Sequence, residues 1–284
     1  MILQARAKVN LCLYLGEQRA SDGRHQLVTV FQALSLADRL SVVESDVDQV
    51  ICPGVDGRNL AADALALLRS AGWDSPPLAI TIDKAIPVAA GMGGGSADAA
   101  AVLSLARDQV DVFDIAAELG ADVSALIEPG LWLGTGVGEE LASFPAGLAE
   151  HAYVILPAGF GLSTADVYRE ADRLELGRPA AELAELEQLV RRGLADGGRF
   201  PPLLAVNDLA PAALSLAPEI QVGLEALYDA GAEQAMVSGS GPTVFGVWWG
   251  GDARAAANGA AETLSKRFPG ALSALPFPGS SQLS

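Results

Sequence analysis

The run from Pro87 to Leu103, PVAAGMGGGSADAAAVL, constrains this chain more than any other stretch, because it sets a flexible glycine bend directly against the start of a strong helix. Gly91, Gly93, Gly94 and Gly95 are free to take the positive φ values that let successive backbone N–H groups converge on one point. Ser96-Ala97-Asp98 then opens a helix whose dipole favours an anion at that point. A backbone makes a phosphate cradle in this way. No Lys-Ser/Thr pair follows the glycines, which excludes a P-loop, and the spacing does not fit a dinucleotide fingerprint after a strand. Taken alone, the same run also reads as a flexible linker ahead of an alanine-rich packing helix.

Composition narrows what such a cradle would serve. The chain has 284 residues, 50% hydrophobic and only 19% charged, which describes one large or two ordinary well-filled domains. A net charge of −17 repels nucleic acid and anionic membrane surfaces, so an anionic ligand needs a local site. The only lysines are Lys8, Lys84 and Lys266, and each can be weighed singly. Cys12 and Cys52 are too few for a disulfide framework and match no zinc spacing, which makes a reducing cytoplasm the simplest compartment. With His25 and His151 the only histidines, the composition argues against a histidine-rich catalytic metal site, and no metal ligands are assigned; a hard ion held by phosphates and one carboxylate still fits. The first residues lack the apolar core of a signal peptide, and no long uncharged apolar stretch follows. The expectation is a soluble, cytoplasmic protein.

Residues 3 to 15 alternate, with Leu3, Ala5, Ala7, Val9, Leu11, Leu13 and Leu15 on one face and Arg6, Lys8, Asn10, Cys12 and Tyr14 on the other. Lys8 and Asn10 therefore point the same way from a rigid strand, either into a site or into solvent. A polar loop over 16–25 follows, then an extended run from Leu27 to Leu36 and a separate strand from Leu40 to Val43. Asn59 caps a helix through Ser70, Leu78 to Ile82 forms a strand into Lys84, and the helix after the glycines runs from Ser96 to about Arg107. Asp111 to Leu119 makes a short helix closed by Gly120, which places Asp122 at a helix exit, where an Asp is often only a turn residue.

Near residues 149–151 the pattern changes to an apolar strand, Tyr153 to Leu156, and a domain boundary is expected there, giving units 1–149 and 150–284. Helices over Asp166–Leu174, Ala180–Leu194, from Asn207, over Pro218–Ala230 and over Asp252–Phe268 follow, with a strand, glycine turn and strand across Ala235 to Trp248. The end from about 269 is rich in Gly, Pro and Ser and reads as loose.

Three blocks together resemble the GHMP kinase superfamily. The first is Ala7-Lys8-Val9-Asn10-Leu11 with Asp22-Gly23-Arg24-His25 and Thr29 to Leu34; the second is Pro87 to Ala101; the third is Ser238-Gly-Ser-Gly-Pro-Thr243. Gly120 to Val123, Gly136 to Glu139, Leu162 to Tyr168 and Asn207-Asp208-Leu209 fall in the same order, so the likeness spans nearly the whole chain. The glycine loops specify only the superfamily, whereas Lys8-Val-Asn10 with Asp22-Gly-x-His25 is similar to its diphosphocytidyl-methylerythritol kinases. Arg24 departs from the family's usual tyrosine and Gln26 from its usual glutamate.

The resemblance implies an α+β fold in two domains, the first similar to the ribosomal-S5-like domain and the second ferredoxin-like, with the site between them. It implies a kinase using ATP and Mg²⁺ to phosphorylate the 2-hydroxyl of a diphosphocytidyl alcohol, with no nucleic-acid or membrane partner. Lys8 and Asp122 are then catalytic. Pro87, Gly91, Met92, Gly93, Gly94, Gly95, Ser96 and Ala97 hold ATP, and Asn10, Arg24, His25, Val137 and Thr164 face the substrate. Arginine can stack on a base as tyrosine does, while His25 would bond the base edge. His151 is expected to be structural. A homoserine- or mevalonate-type kinase, or a catalytically silent nucleotide-binding module, remain the alternatives.

Overall fold

In a computed structural model, residues 1–55, 57–88 and 90–278 are described. Six strands form the first sheet: β1 (Ile2–Gln18), β2 (His25–Glu44), β3 (Gln49–Ile51), β4 (Leu78–Asp83), β5 (Leu131–Thr135) and β6 (Glu140–Ser143). β1 runs antiparallel to β2 along most of its length, β5 pairs with Thr29 to Gln32, and β4 pairs with Arg39 to Glu44. Helices α1 (Leu60–Ser70), α2 (Gly94–Leu103), α3 (Val112–Leu119) and α4 (Ala121–Ile127) belong to this half. The second sheet has the order β10-β7-β9-β8, from β7 (His151–Leu156), β8 (Gln234–Val237), β9 (Val244–Trp249) and β10 (Leu272–Ala274). Its helices are α5 (Thr164–Arg173), α6 (Ala180–Ala195), α7 (Ala210–Leu216), α8 (Ile220–Asp229) and α9 (Ala253–Ser265).

The alternation in β1 is real, but neither face is wet. Lys8, Asn10, Cys12 and Tyr14 are as buried as Val9 and Leu11. The cause is distant in sequence: Tyr14 Oη donates to the Leu204 carbonyl at 2.9 Å, Leu15 N–H donates to Asp208 Oδ2 at 3.0 Å, and Leu13 bridges Asn207. Register shifts between Arg6 and Lys8 and between Asn10 and Cys12 break the ladder locally. Such bulges re-aim side chains, and here the Lys8 N–H turns to the Met92 carbonyl of the glycine loop, 3.1 Å away.

Several expectations need correction. The two extended runs after His25 are one strand, β2, because both pair with the single long β1. The polar loop shrinks to residues 19–24, since the hairpin continues to Gln18 opposite His25. Asp122 is not at a helix exit: Gly120 ends α3 and immediately begins α4, which puts Asp122 in a first helical turn, where a carboxylate suits the dipole. Gly94 and Gly95 are the first helical residues of α2, and only Gly91 and Gly93 take positive φ, +71° and +68°. The chain does not loosen at 269, because β10 pairs with β7, the Ser35 N–H donates to the Leu275 carbonyl, and the Phe277 N–H donates to the Ala33 carbonyl. Residues 279–284 of that expected tail lie outside the described residues. The helix after Asn59 forms as read, with Asn59 Oδ1 accepting from Ala61 N–H.

Candidate active site

β1, the glycine loop before α2, the start of α4 and the β8–β9 turn converge on a cavity of about 610 Å³. Lys8 stands at its centre, only 3% exposed. Its ammonium donates to Asn10 Oδ1 at 2.7 Å and to the Gly91 carbonyl at 3.2 Å, and it pairs with Asp122 Oδ2 at 3.2 Å. Asn10 is itself oriented, because its Nδ2 donates to Thr29 Oγ1, which donates to the Cys12 carbonyl. A charge with three fixed acceptors keeps one position, so a group reacting beside it meets no reorganisation cost. Asp122 keeps its side chain 36% exposed and is the partner that can meet a ligand.

Two glycine turns interlock above this pair. A Cβ on Gly91 would stand 2.2 Å from the Ser238 carbonyl oxygen, and Ser238 Oγ donates to the Gly91 carbonyl at 3.0 Å. A Cβ on Gly93 would press on the Lys8 side chain at 3.1 Å. Gly93 also begins α2 with no side chain capping the helix. Gly94, Gly95 and Ser96 line the cavity at that uncapped end, which fits a phosphate held by backbone N–H groups. Pro87 and Met92 line it as well, whereas Ala97 lies beneath in the core with its N–H bonded to the Gly93 carbonyl. The cradle fits ATP. A magnesium ion bound with the nucleotide would be held by phosphate oxygens together with a carboxylate, and the cavity is lined by two, Asp98 and Asp122.

Sequence reading left Lys84 without a role and missed its partners. Lys84 Nζ lies 2.5 Å from Asp38 Oδ2 and 2.8 Å from Asp98 Oδ2, and Asp38 Oδ1 accepts the N–H groups of Ala85 and Ile86. One ammonium shared by two buried carboxylates does not compensate both. Burial pushes Asp98 up to about 6, against the pull of Lys84. Gly94 matters here in a different way from the expected one, since a Cβ there would stand 3.2 Å from Lys84 Nζ. The scarcity of lysine was the one sequence signal for this cluster.

At the opposite end Val137, Thr164 and Tyr168 line the cavity. Thr164 Oγ1 lies 3.0 Å from Ser240 Oγ, and the Val137 N–H donates to the Glu139 carboxylate. Tyr168, which sequence reading did not single out, places its ring 5.6 Å from that of His25. His25 and Arg24 do not line the cavity. His25 is buried behind it, with both ring nitrogens engaged by Gly16 and Asp172, and Arg24 is 55% exposed in its side chain and bonded to Asp22. His151 is buried away from this cavity, with the Ala149 carbonyl at Nδ1 and the Tyr153 hydroxyl at Nε2.

Residues 59–130 match the family model for the GHMP kinases N terminal domain, and residues 172–269 match the GHMP kinases C terminal model. A 4-diphosphocytidyl-2-C-methyl-D-erythritol kinase of Mycolicibacterium gilvum is 44% identical over 254 residues, covering 83% of this chain and 78% of that protein. The chain belongs to the GHMP kinase family. Within these GHMP kinases, a Rhodococcus jostii protein of the same name is 42% identical, covering 86% of this chain and 82% of its own. The crystal structure of a 4-(cytidine 5'-diphospho)-2C-methyl-D-erythritol kinase superposes with a TM-score of 0.76 at 33% identity, over 98% of this chain and 100% of that one. A homoserine kinase from Cytophaga hutchinsonii, at 19% identity and a TM-score of 0.67, covers 96% of this chain and 95% of its own and shares the fold. The architecture is thus the α+β, two-domain GHMP kinase fold, and the chain is a kinase. No helix among the described residues is long and apolar enough to cross a membrane.

Proposed function

We propose that this GHMP kinase transfers the terminal phosphoryl group of ATP to the 2-hydroxyl of 4-diphosphocytidyl-2-C-methyl-D-erythritol, a step of non-mevalonate isoprenoid precursor biosynthesis. The observation that carries the reading is the Lys8–Asp122 pair, 3.2 Å apart and facing a glycine cradle. Relatives of that name at 42–44% identity over most of the chain support the substrate.

Phosphoryl transfer asks a protein mainly for position and charge. ATP with its magnesium would supply the transferable group and part of the charge neutralisation. Backbone N–H groups from Gly94 to Ser96 bind and orient the phosphates at the start of α2. Asp122 accepts the hydroxyl proton at a carboxylate oxygen, or orients the hydroxyl through it. Lys8 holds Asp122 in place and presents positive charge where negative charge gathers on the transferring group. Asn10 fixes Lys8. Val137 and Thr164 shape the end of the cavity that receives the cytidine portion, with His25 and Arg24 on the hairpin behind it.

Residues 1–149 form the ATP-binding and catalytic unit in this reading and 150–284 the second unit, with the small-molecule substrate between them and the enzyme working in the cytoplasm. A phosphoryl-transfer assay with ATP and a panel of alcohols tests it: the diphosphocytidyl alcohol should be consumed, and homoserine and mevalonate should not. Turnover of homoserine or mevalonate alone would overturn the substrate, and no turnover of any alcohol would overturn the activity.

A further inference from the structure

Lys8 shares the Gly91 carbonyl with a second donor. Its ammonium reaches that oxygen at 3.2 Å and Ser238 Oγ donates to it at 3.0 Å, so the turn after β8 helps to fix an acceptor of the central charge. Gly239, the next residue of the turn, closes on the same place. A Cβ built there would stand 3.2 Å from the Gly91 carbonyl oxygen and 3.4 Å from both Asn10 Oδ1 and Lys8 Nζ. Any drift of this turn would therefore change the surroundings of the ammonium.

One buried amide from elsewhere in the chain holds the turn. Asn207, only 7% exposed, donates from Nδ2 to the Val237 carbonyl at 2.8 Å and to the Gly239 carbonyl at 2.7 Å, the two carbonyls that flank Ser238. Its Oδ1 accepts from the Leu209 N–H at 3.0 Å. The orientation is determined, because a reversed amide would set its oxygen against two carbonyl oxygens. Asn207 is in turn anchored on β1. The Leu13 N–H donates to the Val206 carbonyl and the Asp208 N–H to the Leu13 carbonyl, both at 2.8 Å, and the Asp208 carboxylate accepts the Leu15 N–H and pairs with Arg178. The strand that carries Lys8 and Asn10 thus also anchors the side chain that holds the turn over them.

We propose that Asn207 is a positioning residue for phosphoryl transfer: through the Val237 and Gly239 carbonyls it sets Ser238, Ser238 sets the Gly91 carbonyl, and that carbonyl sets the Lys8 ammonium. The inference rests on the transfer chemistry proposed above. Asn207 does not line the cavity, so its loss acts on where Lys8 stands and not on a contact to either substrate. A misplacement of about 1 Å at the reacting centre can cost on the order of 100-fold in rate. Charge placed for the transition state is felt in kcat before it is felt in binding.

The test is Asn207→Asp, which keeps the shape and turns a second carboxylate oxygen toward the two carbonyls. The kcat, referred to the folded fraction measured by circular dichroism, should fall about 10- to 100-fold, while the KM values for ATP and for the alcohol stay within about threefold. Ser238→Ala leaves Asn207 and its bonds in place, and should lower kcat about three- to tenfold. Combined in one chain, the two changes should cost little more than Asn207→Asp alone, because both break the same route. A residue that served only the stability of the fold would leave kcat per folded molecule unchanged. That result, losses that multiply in the double variant, or a loss carried mainly by KM overturns the proposal. Where Asn207→Asp does not fold, Ser238→Ala decides: a lowered kcat with both KM values kept supports the route, and an unchanged kcat overturns it. Failure of the unaltered protein to phosphorylate any alcohol overturns instead the function on which the inference rests.

Discussion

Gly91 and Ser238 meet as backbone against backbone, with space for no Cβ between them: one built on Gly91 would stand 2.2 Å from the Ser238 carbonyl oxygen. The turn that follows β8 is thereby keyed to the loop that precedes α2, and both border the same cavity through Gly91 and Gly239. Gly91→Ala carries two penalties, a left-handed φ of +71° and a clash that no rotamer relieves. It should lower unfolding stability by about 2 kcal/mol or more in a urea titration. Gly95→Ala is the contrast, because its nearest neighbour is a Leu60 methyl at 3.7 Å and it lies inside a helix. That substitution should leave stability unchanged or raise it by up to about 1 kcal/mol.

Asp122→Asn should lower kcat by roughly 10²- to 10⁴-fold while ATP affinity stays within a few-fold, because the amide neither takes a proton nor balances Lys8. Steady-state kinetics with a separate nucleotide-binding measurement separates the two effects. Turnover equal to that of the unaltered protein would remove Asp122 from the chemistry.

The Asp98 carboxyl gives a pH signature. Burial raises its folded-state pKa to about 6, above the 3.8 of a free carboxyl, so its contribution to stability is fully present below about pH 3.8 and is lost as the pH rises through 6. At neutral pH the buried charge costs up to about 3 kcal/mol relative to that limit. An amide at this position still accepts from Lys84 through its oxygen and never ionises. Asp98→Asn should therefore gain stability relative to the unaltered protein between pH 5 and pH 7, seen as a widening gap in urea midpoints. A gap that stays constant across that interval would mean that Asp98 is not the group titrating.

Local chemistry explains what the sequence made legible. Asn59 caps α1 through its own side chain, Asp111 caps α3, and the Lys8–Asn10 spacing survives because a strand sets it. Burial of the second face of β1 was not legible, since Tyr14 reaches Leu204, 190 residues away. The same holds for the Lys84 cluster, whose members come from the second half of β2, the exit of β4 and the middle of α2. β3, β5 and β6 went unread for another reason: each is a strand of three to five residues held by its neighbour, with too little pattern of its own. Within the site, motif order brought out Lys8, Asn10, the glycine loop and Asp122; Tyr168 closed the Leu162–Tyr168 block, but its place in the cavity lining follows only from where α5 packs.

That packing changes the expectation for the substituted hairpin. Arg24 stands where a stacking tyrosine was expected, yet its guanidinium is bonded to Asp22 at 3.1 Å, more than half exposed and away from the cavity lining. Two aromatic rings line the cavity: Phe31, beside Lys8, and Tyr168, beside His25 on the hairpin side. Burial first, and the nearby Asp122 charge second, push its hydroxyl up to about 12, so the ring stays neutral throughout the working pH range. If a base stacks at this end, Tyr168 is its partner, and stacking on an aromatic ring is worth roughly 1–3 kcal/mol, or about five- to 150-fold in affinity. Tyr168→Ala should accordingly raise the KM for the diphosphocytidyl alcohol by at least about tenfold, with Tyr168→Phe close to the unaltered protein. Arg24→Ala should raise it less than about threefold, because the exposed pair it breaks with Asp22 is worth under about 1 kcal/mol. A larger loss for Arg24→Ala than for Tyr168→Ala would place the base against the hairpin arginine instead, and the turn around Asp22 would then have to open to present it.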